Sequence, residues 1–399
     1  MRVLYIMPWI RQGGAESDAV YSACYLSGRG HQVSILCLFY DLRWMDQVSA
    51  EIDYITPPWW LSLIFNRSKF LTYFFGPLAL LALLLYYGPR FDRWHPHSLP
   101  APWLCVAAVW LLSFFKRSGD FSLDNVFWLC NEPPHCPPLS SLASIGLVDW
   151  LMWRLADSGL DRWLCSKIKY VSVYSEAIKS QVASLYGRDA RLIRLGIAPI
   201  FFQDFRRDYR RELNLRDRFV LLMVGRLHPQ KNQRLALRVL WQLSKDSDKV
   251  HLVLVGEGPD RAWLEGQVNQ LGLTNKVTFF GGASPDQVRD WYHSCDLVLY
   301  PSLNQAPPAN QSWGLVPLEA LACGRLTLIS QGTAVEEWYG QYFPDLALLP
   351  EELTFASKAR EIVSAGVDPE RLVKAGEQLF SCFSWPRYAQ ELEHWLDIG

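Results

Sequence analysis

The chain has 399 residues, 50% of them apolar and 20% charged, and a formal net charge of −1. That composition excludes a disordered chain, and the absence of a basic surplus gives no electrostatic case for a nucleic-acid binder. The length exceeds what one ordinary hydrophobic core supports, so two domains are expected.

The N-terminus, MRVLYIMPWIRQGG, holds a short apolar run with no small-residue cleavage site after it. It reads as a first strand and not as a signal peptide. The loop that follows carries Gly13 and Gly14 but no GxGxxG pattern, which counts against a dinucleotide fingerprint and so against an NAD-linked oxidoreductase. Further candidate strands are VSILCL (33–38), IDYI (52–55), VFWLC (126–130) and YVSV (170–173).

Aromatic content is high, with 18 Trp, 17 Tyr and 20 Phe, many of them in the first half. Between Lys69 and Arg90 there is no charged residue: FLTYFFGPLALLALLLYYGP. By length this is a candidate membrane span. Gly76-Pro77 interrupts it, however, and APWLCVAAVWLLSFF (101–115) falls short of a span. The expectation is a buried or membrane-facing helix of a cytoplasmic protein that touches the membrane peripherally around residues 59–88. The NEPPH segment (131–135) places Asn131 and His135 after a candidate strand.

The second half is more regular. FFQDFRRDYRRELNLRDR (201–218) is charged and reads as a domain junction. After it come apolar runs at 219–224, 251–255, 277–280, 297–300 and 326–329, separated by helical patterns such as QRLALRVLWQLSK and DQVRDWYHSC. Strands alternating with helices predict parallel βαβ units, and runs without strict alternation suit strands covered on both faces. The expected architecture is α/β, with two Rossmann-like doubly wound domains facing across a cleft and ligands at the carboxyl ends of the strands. Residues 1–200 are expected to form one Rossmann-like domain, 201–218 the junction and 219–380 the second domain. Residues 381–399 include the amphipathic SWPRYAQELEHWL, a last helix packing back towards the N-terminal domain. Nine scattered cysteines without a CxxC pair argue against a disulfide framework or a zinc site and suit a reducing compartment.

Two clusters carry chemistry. In VGRLHPQKN (224–232), Arg226 directly follows a strand and Lys231 falls where the next helix is expected to begin. Two cations and free helix N–H groups at a strand's carboxyl end suit a diphosphate. A solvated loop with ordinary surface cations fits this cluster, taken alone, equally well. In NQSWGLVPLEALACG (310–324), Gly314 permits a close backbone approach and Pro317 suits a first helical turn. Glu319, in the same turn, can accept two ribose hydroxyls; the plainer reading is a carboxylate complementing the helix dipole.

GRLHPQKN, LVLVGEGPDRAWLE, VTFFGGASPDQVRDWY, CDLVLYPS and SWGLVPLEALACG, in that order, resemble the retaining GT-B glycosyltransferases of the glycogen-synthase-like (GT4) group. The resemblance covers about 170 residues closely and extends weakly through GGAES (13–17), WHPHS (94–98) and SVYSEAIKSQV (172–182). It implies transfer of a hexose-type sugar from a nucleotide-diphosphate donor to a hydroxyl on a glycan or lipid-linked acceptor, with retention. Arg226 and Lys231 would hold the diphosphate, so neither a metal nor any cofactor beyond the nucleotide-sugar co-substrate is expected. Glu319 would hold the ribose, Gly314 and Leu315 would offer backbone N–H groups, and Gly13 and Gly14 would approach donor and acceptor. Two positions depart from the pattern. Gln311 stands where relatives carry a sugar-contacting Glu, and Asn131 stands where many carry a His near the reacting carbon, with His135 four residues on. These departures keep open a non-catalytic sugar-nucleotide-binding relative. Another GT-B enzyme, such as a sugar-nucleotide epimerase, is a further alternative.

Overall fold

A computed structural model describes residues 1–11, 13–42, 52–115, 121–131, 150, 154, 159–303, 314–366 and 369–398. The chain divides into two units, Met1–Gly196 with Trp385–Gly399, and Ile197–Ser384.

The first unit contains β1 (Arg2–Ile6), β2 (Gln32–Leu36), β3 (Asp53–Ile55), β4 (Arg93–Pro96), β5 (Phe127–Leu129), β6 (Tyr170–Val173) and β7 (Ala190–Leu192). One parallel sheet has the order β3-β2-β1-β4 and another β5-β6-β7. A parallel bridge from Trp94 to Val126 joins their edges. Val3 lies opposite Val33, and Tyr5 opposite both Ile35 and His95. β1 is buried from Val3 to Ile6, as expected of a parallel strand covered on both faces, which explains why it reads as a run of apolar residues without alternation. The apolar runs locate the other expected strands to within two residues. The sequence patterns miss β4 and β7. β4 ends the first sheet beside β1 with a sequence, RWHP, poor in β-branched residues; its proline is tolerated because it ends the strand.

The uncharged stretch after Lys69 does not form one helix. α1 (Gly14–Ser27) and α2 (Trp59–Arg67) are followed by α3 (Lys69–Phe74) and α4 (Gly76–Tyr87), broken at Phe75 with Pro77 in the first turn of α4. α5 spans Ala101–Phe114. Among the described residues, no helix is long and apolar enough to cross a membrane. One side of these helices packs into the core through Phe65, Leu80, Leu84 and Val109. Their other side leaves large apolar groups in the open, including Trp59 at 79% and Phe114 at 82% exposure. The final helix, Trp385–Asp397, packs on α1, where Trp385 is buried and stacks with Tyr21 at 5.4 Å.

The second unit is a single parallel sheet in the order β10-β9-β8-β11-β12-β13. Its strands are β8 (Phe219–Val224), β9 (Val250–Val255), β10 (Val277–Gly281), β11 (Leu297–Tyr300), β12 (Thr327–Ser330) and β13 (Ala347–Leu348). β9 is buried along its full length. The helix Gln233–Leu243 buries Leu235, Ala236, Val239, Leu240 and Leu243, the spacing of one helical face. All strands run parallel, but the order in which successive strands are added reverses between β8 and β11. Connections leave this point on opposite faces, so their loops part and open a crevice at the strands' carboxyl ends.

Candidate functional site

The crevice of the second unit begins where β8 ends. Gly225 and Gly256 both have positive φ, and a Cβ on Gly256 would lie 2.1 Å from the Gly225 carbonyl oxygen. Only a glycine lets the loops after β8 and β9 approach this closely. The Leu227 N–H donates to the Glu257 carbonyl at 3.0 Å, which locks the pair. Arg226 therefore emerges from a tied backbone with its side chain exposed. Lys231 is half-buried, and among the described residues neither cation has a carboxylate partner. Between them, His228 is held below the usual histidine range by burial, with the Arg226 and Lys231 charges acting in the same direction. The local potential is thus positive, which favours an anion.

Contrary to the expectation from the sequence, Lys231 does not open the helix. It closes a short 3-10 turn, Pro229–Lys231; Asn232 adopts φ of 58° and the helix starts at Gln233. The left-handed residue separates the two turns, and side chains then brace the loop. Buried Gln233 donates to the Arg226 carbonyl at 2.9 Å, and Asn232 to the Pro301 carbonyl at 3.1 Å. The Leu303 N–H donates to the Gln230 carbonyl at 2.9 Å. The loops after β8 and β11 are therefore held together.

Tyr300, the last residue of β11, links the two sequence clusters. The Lys231 ammonium lies 5.6 Å from its ring centroid. Gly314 has φ of 67°, and a Cβ there would sit 2.2 Å from the Tyr300 hydroxyl. Leu315 caps the helix Val316–Ala322, with Pro317 and Glu319 in its first turn. Glu319 is half-buried by surface exposure, yet protein atoms crowd it on most sides. Burial pushes its carboxyl up to about 7, partly opposed by the Tyr292 hydroxyl, which donates to Oε2 at 3.0 Å. A carboxylate at this helix start keeps its second oxygen available as an acceptor.

Gly13, Gly14 and Asn131 belong to the first unit. Gly13 caps α1 in an extended conformation, and the Glu16 carboxylate folds back over it: a Cβ on Gly13 would lie 2.3 Å from Oε2. Asn131 follows β5, and both atoms of its amide are buried with no partner among the described residues. Gln311 and His135 lie outside the described residues.

Residues 205–378 match the family described as Glycosyl transferases group 1. The second unit is a group 1 glycosyl transferase domain. The lipopolysaccharide 1,2-N-acetylglucosaminetransferase of Salmonella typhimurium is 30% identical over 203 residues, 47% of this chain and 52% of that protein. The GDP-mannose-dependent alpha-(1-6)-phosphatidylinositol monomannoside mannosyltransferase of Mycolicibacterium smegmatis is 29% identical over 183 residues, 44% of this chain and 48% of that protein. The chain thus spans about half the length of the curated relatives it matches. Among solved structures, Anabaena HepE in complex with UDP superposes over 100% of both chains, with a TM-score of 0.76 at 19% identity. The fold of the chain is GT-B.

Within the group 1 domain, the structure brings Arg226, Lys231, Gly314, Leu315 and Glu319 to one end of the sheet. Tyr300 and Tyr292 are further members of this site that the sequence reading leaves out. Both sit inside quoted motifs, CDLVLYPS and DQVRDWY, but an aromatic at a strand end or on a buried helix face looks like ordinary core.

Proposed function

We propose that the protein is a retaining glycosyltransferase that moves a hexose-type sugar from a nucleoside-diphosphate donor to a hydroxyl of a glycan or lipid-linked acceptor. The carrying observation is the pair of cations without carboxylate partners, Arg226 and Lys231, at the carboxyl end of β8, with Glu319 at the same end of the sheet. In this reading Arg226 and Lys231 meet the diphosphate and stabilise the charge that develops as it leaves. Glu319 accepts the ribose hydroxyls, and the Gly314 and Leu315 backbone approaches the donor. By the family resemblance, Gly13 and Gly14 would approach donor and acceptor, and Gln311 would contact the sugar. The acceptor attacks from the face the diphosphate vacates, and the departing phosphate takes the acceptor proton. Two fixed cations fill the charge-neutralising role, so the reading needs no metal. Support comes from relatives whose names specify N-acetylglucosamine and mannose transfer, and from HepE solved with UDP and with UDP-glucose.

A thermal-shift series against UDP-, GDP- and ADP-sugars with a chelator present tests the donor assignment. At about 100-fold excess over Kd, a ligand that binds only the folded chain adds about 2.7 kcal/mol, several degrees in Tm. One nucleotide class is expected to stabilise the protein; no response to any of them overturns the reading.

The open faces of α2, α3, α4 and α5 support peripheral contact of this cytoplasmic enzyme with a membrane, since Trp59, Phe74, Leu78 and Phe114 bring apolar and interfacial groups together. The protein is expected to sediment with phospholipid vesicles, and the paired Trp59→Ser and Phe114→Ser variant to remain in the supernatant. Equal sedimentation of parent and variant would remove these faces from the contact.

A further inference from the structure

A cavity of about 220 Å³ lies in the second unit between the helices Gln233–Leu243 and Arg261–Gln270 and the first residue of the helix Glu352–Ala365. Arg226, Lys231, Gly314, Leu315 and Glu319 take no part in its lining. Arg234, Arg238 and Trp241 reach it from the first helix, at the four- and three-residue spacing that puts side chains on one helical face. Leu237 joins them, and Gln267 and Leu271 reach it from the second helix and its cap. The lining thus combines guanidinium groups, an amide, an indole and two leucines.

The charges here are unequal. Arg238 Nη1 donates to Glu352 Oε2 at 3.2 Å, and the Gln242 amide donates to Oε1. The one carboxylate of the lining is therefore engaged at both oxygens, and it holds Arg238 in place. Arg234 has no such neighbour. Among the described residues it makes no hydrogen bond and no ion pair, and its guanidinium lies 5.5 Å from the Trp263 ring centroid. The Lys245 ammonium, 3.5 Å from the Trp241 ring centroid, adds a further positive charge. Such a surplus favours an anion, and a planar guanidinium fits a carboxylate best.

The other groups narrow the choice. The Gln267 amide nitrogen donates to Gln270 Oε1 at 2.7 Å, which leaves the Gln267 oxygen as an acceptor for a hydroxyl. Trp241, Leu237 and Leu271 give the cavity an apolar side. A bare phosphate or carboxylate ion leaves that side unused, and an apolar chain leaves Arg234 unused. A pyranose bearing a carboxylate uses all three kinds of group, because its C–H faces are apolar and its hydroxyls donate. Sites for drug-sized ligands measure about 300–1,000 Å³, so this smaller cavity suits a single ring.

We propose that this cavity binds one acidic sugar unit, with its carboxylate on Arg234 and Arg238, a hydroxyl on Gln267 and its ring against Trp241 and Leu237. The site shares no residue with the donor cluster and stands whether or not the transfer reading does.

Methyl glucuronide, a pyranose with one carboxylate, is a suitable probe, titrated into the full-length protein with UDP present and followed by ligand-observed NMR. The expected result is one saturable site, with methyl glucoside and cyclohexanecarboxylate each at least about ten-fold weaker. Arg234→Ala and Trp241→Ala are each expected to weaken methyl glucuronide by about ten-fold or more, and Arg226→Ala to leave it unchanged. Arg234 is exposed, so its variant should fold. Circular dichroism establishes this for each variant, and Arg234→Ala decides the matter if Trp241→Ala unfolds. Methyl glucoside binding as tightly as methyl glucuronide shows that no carboxylate is read, and cyclohexanecarboxylate doing so shows that no sugar is; either overturns the proposal. So does binding that Arg234→Ala leaves unchanged or that Arg226→Ala abolishes, since the ligand then sits elsewhere. An N-acetylated leucyl-aspartate dipeptide that binds more tightly than methyl glucuronide assigns the cavity to an acidic protein segment and overturns the sugar.

Discussion

Replacing Arg226 and Lys231 together by alanine is expected to lower affinity for UDP, or whichever nucleoside diphosphate stabilises the protein, by at least about a hundred-fold. A hydrogen bond between charged partners contributes about 1.5–3 kcal/mol, so each single variant should lose about ten-fold or more. The fold should survive, because Arg226 is exposed and neither cation has a carboxylate partner among the described residues. The loop keeps its shape through Gln233 on the Arg226 carbonyl and Asn232 on the Pro301 carbonyl, neither of which involves the removed side chains. His228 supplies an internal check. With both charges gone, its pKa should rise towards the ordinary histidine range, since only burial then lowers it. Calorimetric titration with nucleotide and NMR titration of His228 measure the two effects. Full nucleotide affinity in the double variant, with His228 shifted upward as expected, would show that the cations were removed and that the diphosphate does not use them.

Glu319→Gln is expected to change the pH dependence of both stability and nucleotide binding. Burial raises the Glu319 carboxyl from 4.5 to about 7. Below the lower value it is protonated in folded and unfolded chains alike and has no effect. Between the two values the unfolded chain gives up its proton while the folded chain retains it, so stability falls as pH rises. Above about 7 the loss is complete, at most about 3 kcal/mol and less where solvent reaches the open edge of the carboxyl. Glutamine does not titrate, so the variant should be the more stable above pH 7 and match the parent near pH 4. Binding has the opposite slope. Ribose hydroxyls donate best to the ionised carboxylate, so parent affinity should increase as pH rises through about 7. The phosphates of the nucleotide titrate in parent and variant alike, and the difference between the two proteins isolates Glu319. A parent and variant with parallel affinity profiles would leave Glu319 as a structural partner of Tyr292 and no more.

Parallel sheets of α/β type follow from local physics alone. β8, β9 and β11 are continuous apolar runs because both faces of each are covered, and helix patterns lie between them, so alternation of type is visible at short range. Pro317 and Glu319 likewise reveal a helix start, since the preferences of a first turn are local. The family resemblance extended this to Arg226, Lys231 and Gly314 because motif order and spacing persist where overall identity is near 30%.

Other features depend on residues far apart in the chain, and no local pattern carries them. β4 is a strand although its RWHP sequence is poor in strand formers; the ladder with β1 and the Trp94–Val126 bridge hold it in place. Tyr300 joins Lys231 to Gly314 only because β11 lies beside β8 in the sheet. The ionisation of Glu319 is set by crowding around it and by Tyr292, 27 residues earlier. In the first unit, WHPHS and NEPPH read as separate loop signals, and it is packing that places His97 and Asn131 on one cavity. Sequence thus determined the elements and the chemical types, because propensity and apolar period act over a few residues. Tertiary structure decided which of those groups meet and how each ionises, because proximity and desolvation are set by the whole packed chain.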